Sequence, residues 1–214
     1  MKSSSFAAIV AIASVAAIGL GTPFVSHAQL GGMFGGSKSG ASNSGGVDLG
    51  SQQDAMVRSY VAAGRDIVSA NESFSQALGI KAQAINAAAT SDSISAKDVE
   101  AQDKAISADA AAVAEALKSG AQLKDAEAKA NYAKGLVFMV SGVKKYMEMK
   151  KDVQNFSSGL SSASPLQMGK LAAGAYVVKT FPTSVTNMTT VLKSAIEFGK
   201  SNGVEIPKDA TSLL

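Results

Sequence analysis

The sequence predicts an all-α protein, a bundle of four or five antiparallel helices joined by short loops. Alanine, the residue with the highest intrinsic helix propensity, supplies 38 of the 214 residues. From residue 52 onward, apolar residues recur at steps of three and four, the spacing of one helix face. No run of alternating β-branched residues indicates a strand. About 160 residues are enough to bury a core without disulfides or metals.

Residues 1–28 are predicted to be a secretory signal peptide. Lys2 precedes an uncharged, apolar stretch at residues 6–20, and the small residues Ser26 and Ala28 stand before the expected cleavage site. The stretch is shorter than the about 20 apolar residues that a membrane span needs, so we expect cleavage after Ala28. Since no twin arginine precedes it, we expect Sec-type export to the periplasm or the extracellular space.

The mature chain is predicted to comprise an arm at residues 29–51 and one helical domain at residues 52–214. The arm is rich in glycine and serine, so it cannot bury enough apolar area to offset chain entropy, and we expect it to be flexible. The chain has no cysteine, and its one histidine, His27, falls inside the predicted signal peptide. We therefore expect neither a transition-metal site nor a cofactor in the mature protein.

The first two helices have recognisable ends. The apolar stripe predicts a first helix over residues 52–85, with Gly79 as a kink and a break at residues 90–93. A capping box at residues 95–98 predicts the start of the second helix, although aspartate replaces the usual glutamate or glutamine. The Ser-Gly pair at residues 119–120 is the expected stop.

A third helix is predicted over residues 122–156. Its centre, residues 136–140, is apolar on every face, which predicts burial on all sides. Gly135 and Gly142 are expected to allow a neighbouring helix to approach closely.

Two more helices are predicted towards the end of the chain. The pattern at residues 164–167 combines an N-cap serine, a proline at N1 and a glutamine at N3, and it predicts the start of a helix over 165–181. Residues 171–178 are apolar all round, so this helix is expected to be central. Pro182 is expected to end it, and the fifth helix is expected to stop at residues 202–203.

Charge is distributed unevenly along the chain. Residues 29–115 carry six basic and ten acidic side chains, whereas residues 116–214 carry thirteen basic and seven acidic ones. A contact surface for an anionic membrane or an acidic partner is one interpretation, and solvated helix faces are the other. Arginine occurs only twice, which argues against nucleic acid. The candidate contact residues are Lys124, Lys129, Lys134, Lys144, Lys145, Lys150 and Lys151.

Short catalytic patterns occur but lack their usual context. Ser141 and Lys144 match the Ser-x-x-Lys of penicillin-interacting enzymes, and Tyr146 and Lys150 match a dehydrogenase Tyr-x-x-x-Lys. Neither the companion strand motif nor a glycine-rich dinucleotide turn accompanies them. A carboxylate cluster that includes Asp103 lacks the spacing of a calcium loop. We therefore expect a protein that is not an enzyme and has no catalytic or metal-binding residues, and keep a Ser/Lys/carboxylate hydrolase as the weakest alternative.

The leading hypothesis is an exported scaffold, adhesion or envelope-associated protein that acts through surface contacts, with a protein partner or self-association. The alternative is a carrier for a lipid or another apolar ligand, because apolar helix centres and adaptable methionines favour an internal site. The candidate lining residues are Phe138, Met139, Met147, Met168 and Tyr176.

Overall fold

The computed structural model describes residues 48–81 and 94–214, and within these ranges all regular structure is helical. The prediction of an all-α fold is confirmed. The predicted signal peptide and nearly all of the predicted arm lie outside the described residues. The helices are α1 (Leu49–Leu78), α2 (Ala96–Lys118), α3 (Ala126–Glu148), α4 (Lys150–Leu160), α5 (Pro165–Met168) and α6 (Ala172–Ser201), with 3-10 turns at Gly169–Leu171 and Ala210–Leu213.

The first helix is bounded by a cap at each end. The Asp48 carboxylate accepts hydrogen bonds from the backbone N–H groups of Gly50 and Ser51, so α1 begins three residues earlier than predicted. Gly79 adopts a left-handed conformation with φ of 67° and ends the helix. The expectation that Gly79 kinks a longer helix is therefore wrong, and the predicted last residue, Ile85, lies outside the described residues.

Side-chain caps also start the next two helices. The Ser95 hydroxyl oxygen accepts from the backbone N–H of Asp98, which is the N-cap half of the predicted capping box, and the hydroxyl donates to the Asp98 carboxylate at 2.7 Å. Gly120, at φ of 79°, follows the end of α2. The Asp125 carboxylate accepts from the N–H of Ala128 at 2.8 Å, so α3 begins later than residue 122.

The predicted third helix is divided at Met149. The N–H of Met149 approaches the carbonyl oxygens of both Lys145 and Met147, and this tightened turn separates α3 from α4. Burial on all sides of residues 136–140 is also wrong, because Val137 is 57% exposed. Five consecutive residues cover a full turn of helix, so one of them points away from the core whatever its polarity.

Pro182 does not end a helix, contrary to expectation, because α6 continues through it to Ser201. A proline inside a helix costs about 3 kcal/mol. Buried residues on both sides of it, Phe181 and Ser184, keep α6 packed on the core, so tertiary packing outweighs that cost. The predicted start at Ser164 is present, with its N–H donating to Gln167 Oε1 at 2.9 Å, but it begins only the four-residue α5.

Helices α1 and α3 lie side by side in opposite directions. The rings of Tyr60 and Tyr146 are 5.3 Å apart near one end, and those of Phe74 and Tyr132 are 4.9 Å apart near the other. As the residue number rises along α1 it therefore falls along α3. A Cβ atom on Gly135 would lie 2.6 Å from the Phe74 ring, so the predicted close approach at this glycine is confirmed.

The same two tyrosines of α3 give the direction of α6. The ring of Tyr132 lies 5.3 Å from Phe198, and the ring of Tyr146 lies 6.3 Å from Phe181. Helix α6 is therefore antiparallel to α3 and runs in the same direction as α1.

Helix α2 also runs in the direction of α1 and α6. Near its start the Asp103 carboxylate accepts a hydrogen bond from Tyr176, and near its end Leu117 lies beside Phe198 in a small surface cleft. The expectation of an antiparallel bundle is therefore wrong in part, because α1, α2 and α6 run in the same direction. The connection between α1 and α2, residues 79–95, has 17 residues, which is enough length to join two helices that run in the same direction.

Among the helices that the structure describes, none combines the length and the apolar character required to traverse a bilayer.

Candidate functional site

A groove lies between α6 on one side and helices α3 and α4 on the other. We call it the α4–α6 groove, and its volume is about 830 Å³. It is lined by Tyr146, Met147, Lys150, Val153, Gln154, Ser157, Ser158, Val178, Phe181, Pro182 and Val185.

The two walls of the groove differ in polarity. The α6 wall is formed by Val178, Phe181, Pro182 and Val185, all of which are apolar. Their spacing places them on one side of the helix. The α4 wall presents the polar residues Lys150, Gln154, Ser157 and Ser158, spaced at i, i+4, i+7 and i+8 along one face, with the apolar Val153 beside them. The groove can therefore take an apolar body along α6 while it keeps a polar edge along α4.

Helix α4 packs closely against the start of α6. The Phe156 ring lies where a Cβ atom on Gly174 would come within 2.5 Å, so only glycine permits this approach. The Gln53 amide holds the start of α6 in place: its Oε1 accepts from the N–H of Gly174 at 2.9 Å, and its Nε2 donates to the carbonyl oxygen of Lys170 at 3.2 Å.

A polar cluster lies behind the groove. We call it the Asp103 cluster, and it comprises Asp103, Tyr60, Tyr176 and Ser184. The Tyr60 hydroxyl donates to Asp103 Oδ1 at 2.6 Å, and the Tyr176 hydroxyl donates to Oδ2 at 3.0 Å. The Ser184 hydroxyl donates to Oδ1 at 3.2 Å. One carboxylate thereby joins α2 to both α1 and α6.

The phenols around this carboxylate remain protonated at neutral pH. Desolvation by burial and the nearby Asp103 charge raise the pKa of Tyr60 well above its usual range, and the same two causes raise the pKa of Tyr176. Burial likewise raises the pKa of Tyr146, whose ring lies 5.3 Å from that of Tyr60. The tyrosines therefore serve as hydrogen-bond donors rather than as bases, and the cluster acts as a cross-link between helices.

The structure separates the apolar residues proposed as ligand-lining. Met147 lines the α4–α6 groove. Met139 is fully buried in the core, and Met168 on α5 is 39% exposed. Phe138 and Tyr176 are half-buried and lie outside the groove lining. Of the five residues predicted to line a ligand site, one therefore lines the groove and the other four lie elsewhere.

The lysines proposed to contact an anionic membrane or partner have different environments in the structure. Lys150 lines the groove, and Lys145 forms an ion pair with Asp66 at 2.7 Å. The ammonium of Lys134 lies 5.9 Å from the centre of the Phe138 ring. The remaining four are exposed to solvent: Lys124, Lys129, Lys144 and Lys151.

The catalytic patterns do not assemble into catalytic geometry. The Ser141 hydroxyl donates to Asp66 Oδ2 at 2.5 Å, and Lys145 pairs with the same oxygen, while Lys144 is exposed. Ser141 is therefore engaged by a carboxylate rather than by the lysine of the Ser-x-x-Lys pattern. Within the described ranges, no three acidic or metal-binding side chains are grouped so as to hold a metal ion.

Comparisons with protein-family models, with curated proteins and with solved structures found no match to this chain. The α6 wall of the groove escaped the sequence interpretation because it spans Pro182, where a helix end had been expected. The Asp103 cluster joins three helices that are far apart along the chain, and no local pattern indicates it.

Proposed function

We propose that this protein is a non-catalytic carrier that binds a small, predominantly apolar molecule in the α4–α6 groove. The observation that carries the proposal is the groove itself, an apolar wall of α6 facing a polar edge of α4. Its volume of about 830 Å³ falls in the range of about 300–1,000 Å³ typical of small-molecule sites. Such sites are lined mainly by apolar side chains with a few polar groups, and this lining has that composition.

The carrier proposal is favoured over a purely surface-acting scaffold by the placement of the charged residues. The seven candidate lysines do not share one surrounding, and one of them is engaged by Asp66. The groove, in contrast, brings apolar side chains from three helices to one place. Export, a protein partner, self-association and contact with an anionic membrane remain predictions.

A neutral fluorescent dye tests the proposal. N-phenyl-1-naphthylamine fluoresces strongly in an apolar site, and we expect a saturable rise in its emission with the wild-type protein. Val178→Trp places a large ring in the groove and should weaken dye binding at least about tenfold, a loss of about 1.4 kcal/mol.

Val137→Trp is the matched control, because Val137 is exposed on α3 and does not line the groove. It should bind the dye as the wild type does. Circular dichroism of both variants checks that the helices remain folded. Absence of saturable dye binding by the wild type, or equal binding by the folded Val178→Trp variant, would refute the carrier proposal.

A further inference from the structure

The charge and polarity of the α4–α6 groove point to a specific chemical class of ligand. Resting on the proposed carrier function, we infer that the ligand is a free single-chain carboxylate, a fatty acid, whose carboxylate lies beside Lys150 and whose chain lies along α6.

Lys150 is the one charged side chain among the described residues that line the groove, and no carboxylate lines it. An ammonium group at the edge of an apolar groove attracts a ligand with one negative charge and offers nothing to a cation. Because Lys150 is exposed, the contribution of this pair is modest and selects the head group rather than providing most of the affinity.

The polar side chains on the same wall argue against a pure hydrocarbon. Gln154, Ser157 and Ser158 continue the stripe that begins at Lys150. A hydrocarbon covering this stripe would remove water from amide and hydroxyl groups without replacing their hydrogen bonds, which is costly. An amphiphile lying along the opposite wall, formed by Val178, Phe181 and Val185, leaves those groups in contact with water.

The size of the groove favours a free fatty acid over a membrane lipid. A site of about 830 Å³ suits one small ligand. A second groove, of about 480 Å³, shares no lining residue with it. The lining of the α4–α6 groove presents a single lysine among mainly apolar side chains, whereas recognition of anionic lipid head groups uses clusters of basic residues.

Displacement of the bound dye at pH 8 tests the inference with decanoate and decanol, which share a chain and differ in charge. Decanoate should displace the dye at lower concentration than decanol from the wild type. Lys150→Ala should weaken displacement by decanoate about two- to fivefold and leave decanol unchanged. Lys151→Ala is the matched control, because Lys151 is an exposed lysine next in sequence that does not line the groove.

The outcomes separate this inference from the carrier function. Equal displacement by decanoate and decanol, or equal effects of Lys150→Ala and Lys151→Ala, would overturn the inference while dye binding still supported a carrier. Failure of the dye to bind would instead contradict the carrier function. Vesicles containing an anionic phospholipid supply the remaining arm. If the protein binds these vesicles more tightly than decanoate, and the Val178→Trp variant still binds them, the ligand is a membrane surface rather than a fatty acid.

Discussion

The hydroxyl of Tyr60 on α1 donates a 2.6 Å hydrogen bond to the carboxylate of Asp103 on α2. Tyr60 is only 1% exposed, so its end of this bond is buried, whereas Asp103 is half-buried. It joins two parallel helices whose chain connection is 17 residues long, from 79 to 95. The tyrosine ring also contacts Tyr146, which lines the α4–α6 groove. One residue therefore connects the position of α2 with the back of the proposed ligand site.

Tyr60→Phe should lower the free energy of unfolding by about 1–3 kcal/mol, because it removes a buried donor and leaves the Asp103 carboxylate with one partner fewer. Urea denaturation followed by circular dichroism measures the change. Tyr176→Phe is the matched control. It removes a donor to the same carboxylate from a half-buried position, where water can replace it, and should cost less than about 1 kcal/mol. A larger loss for Tyr176→Phe than for Tyr60→Phe would contradict this reading of the cluster.

Gly135→Ala should destabilise the bundle by about 1–3 kcal/mol, even though alanine favours helix over glycine by about 1 kcal/mol. The added Cβ would lie 2.6 Å from the ring of Phe74, which is fully buried and cannot move aside. Gly169→Ala is the control, since a Cβ atom there meets nothing within 4 Å and the backbone is already in the right-handed helical region. In thermal melts, the melting temperature of Gly135→Ala should fall, whereas that of Gly169→Ala should rise or stay the same. Equal destabilisation would show that close packing is not the cause.

Alkaline pH should unfold the protein and ionise its tyrosines in one step. Burial raises the pKa of all four tyrosines above the usual 10.0, so the folded state keeps its phenolic protons where the unfolded state has lost them. Stability is therefore unaffected by these groups below about pH 10 and falls as the pH rises further. Absorbance at 295 nm and circular dichroism at 222 nm, recorded together, should change at the same pH. Two or more phenols ionising near pH 10 with the helices intact would be the contrary result.

The helical fold was predictable because caps and apolar spacing are local signals. Ser95 with Asp98 and the stop at Gly120 fixed the ends of α2 without reference to the rest of the chain. The close approach at Gly135 was also indicated, since glycine within an apolar helix face has few other roles. Pro182 misled the interpretation because its local preference is outweighed by packing on both sides, and that packing depends on other helices.

The site was less predictable for the same reason. Whether an apolar residue lines a groove or fills the core depends on which helix it faces. Met147 and Met139 are two turns apart on α3, yet Met147 lines the groove and Met139 is buried in the core. The direction of α2 depended on where α1 ends, and Gly79 had been interpreted as a kink. The bonds to Asp103 come from residues 43 and 73 positions away, beyond the reach of any short pattern.

The central claim, that the α4–α6 groove holds the apolar chain of a ligand, is tested most directly by nuclear Overhauser effects between bound decanoate and methyl-labelled protein. The account predicts contacts from the decanoate chain to the methyl groups of Met147, Val178 and Val185, which line the groove. Contacts confined to Val137 on the outer face of α3, or saturable binding without contacts to the groove methyl groups, would contradict it.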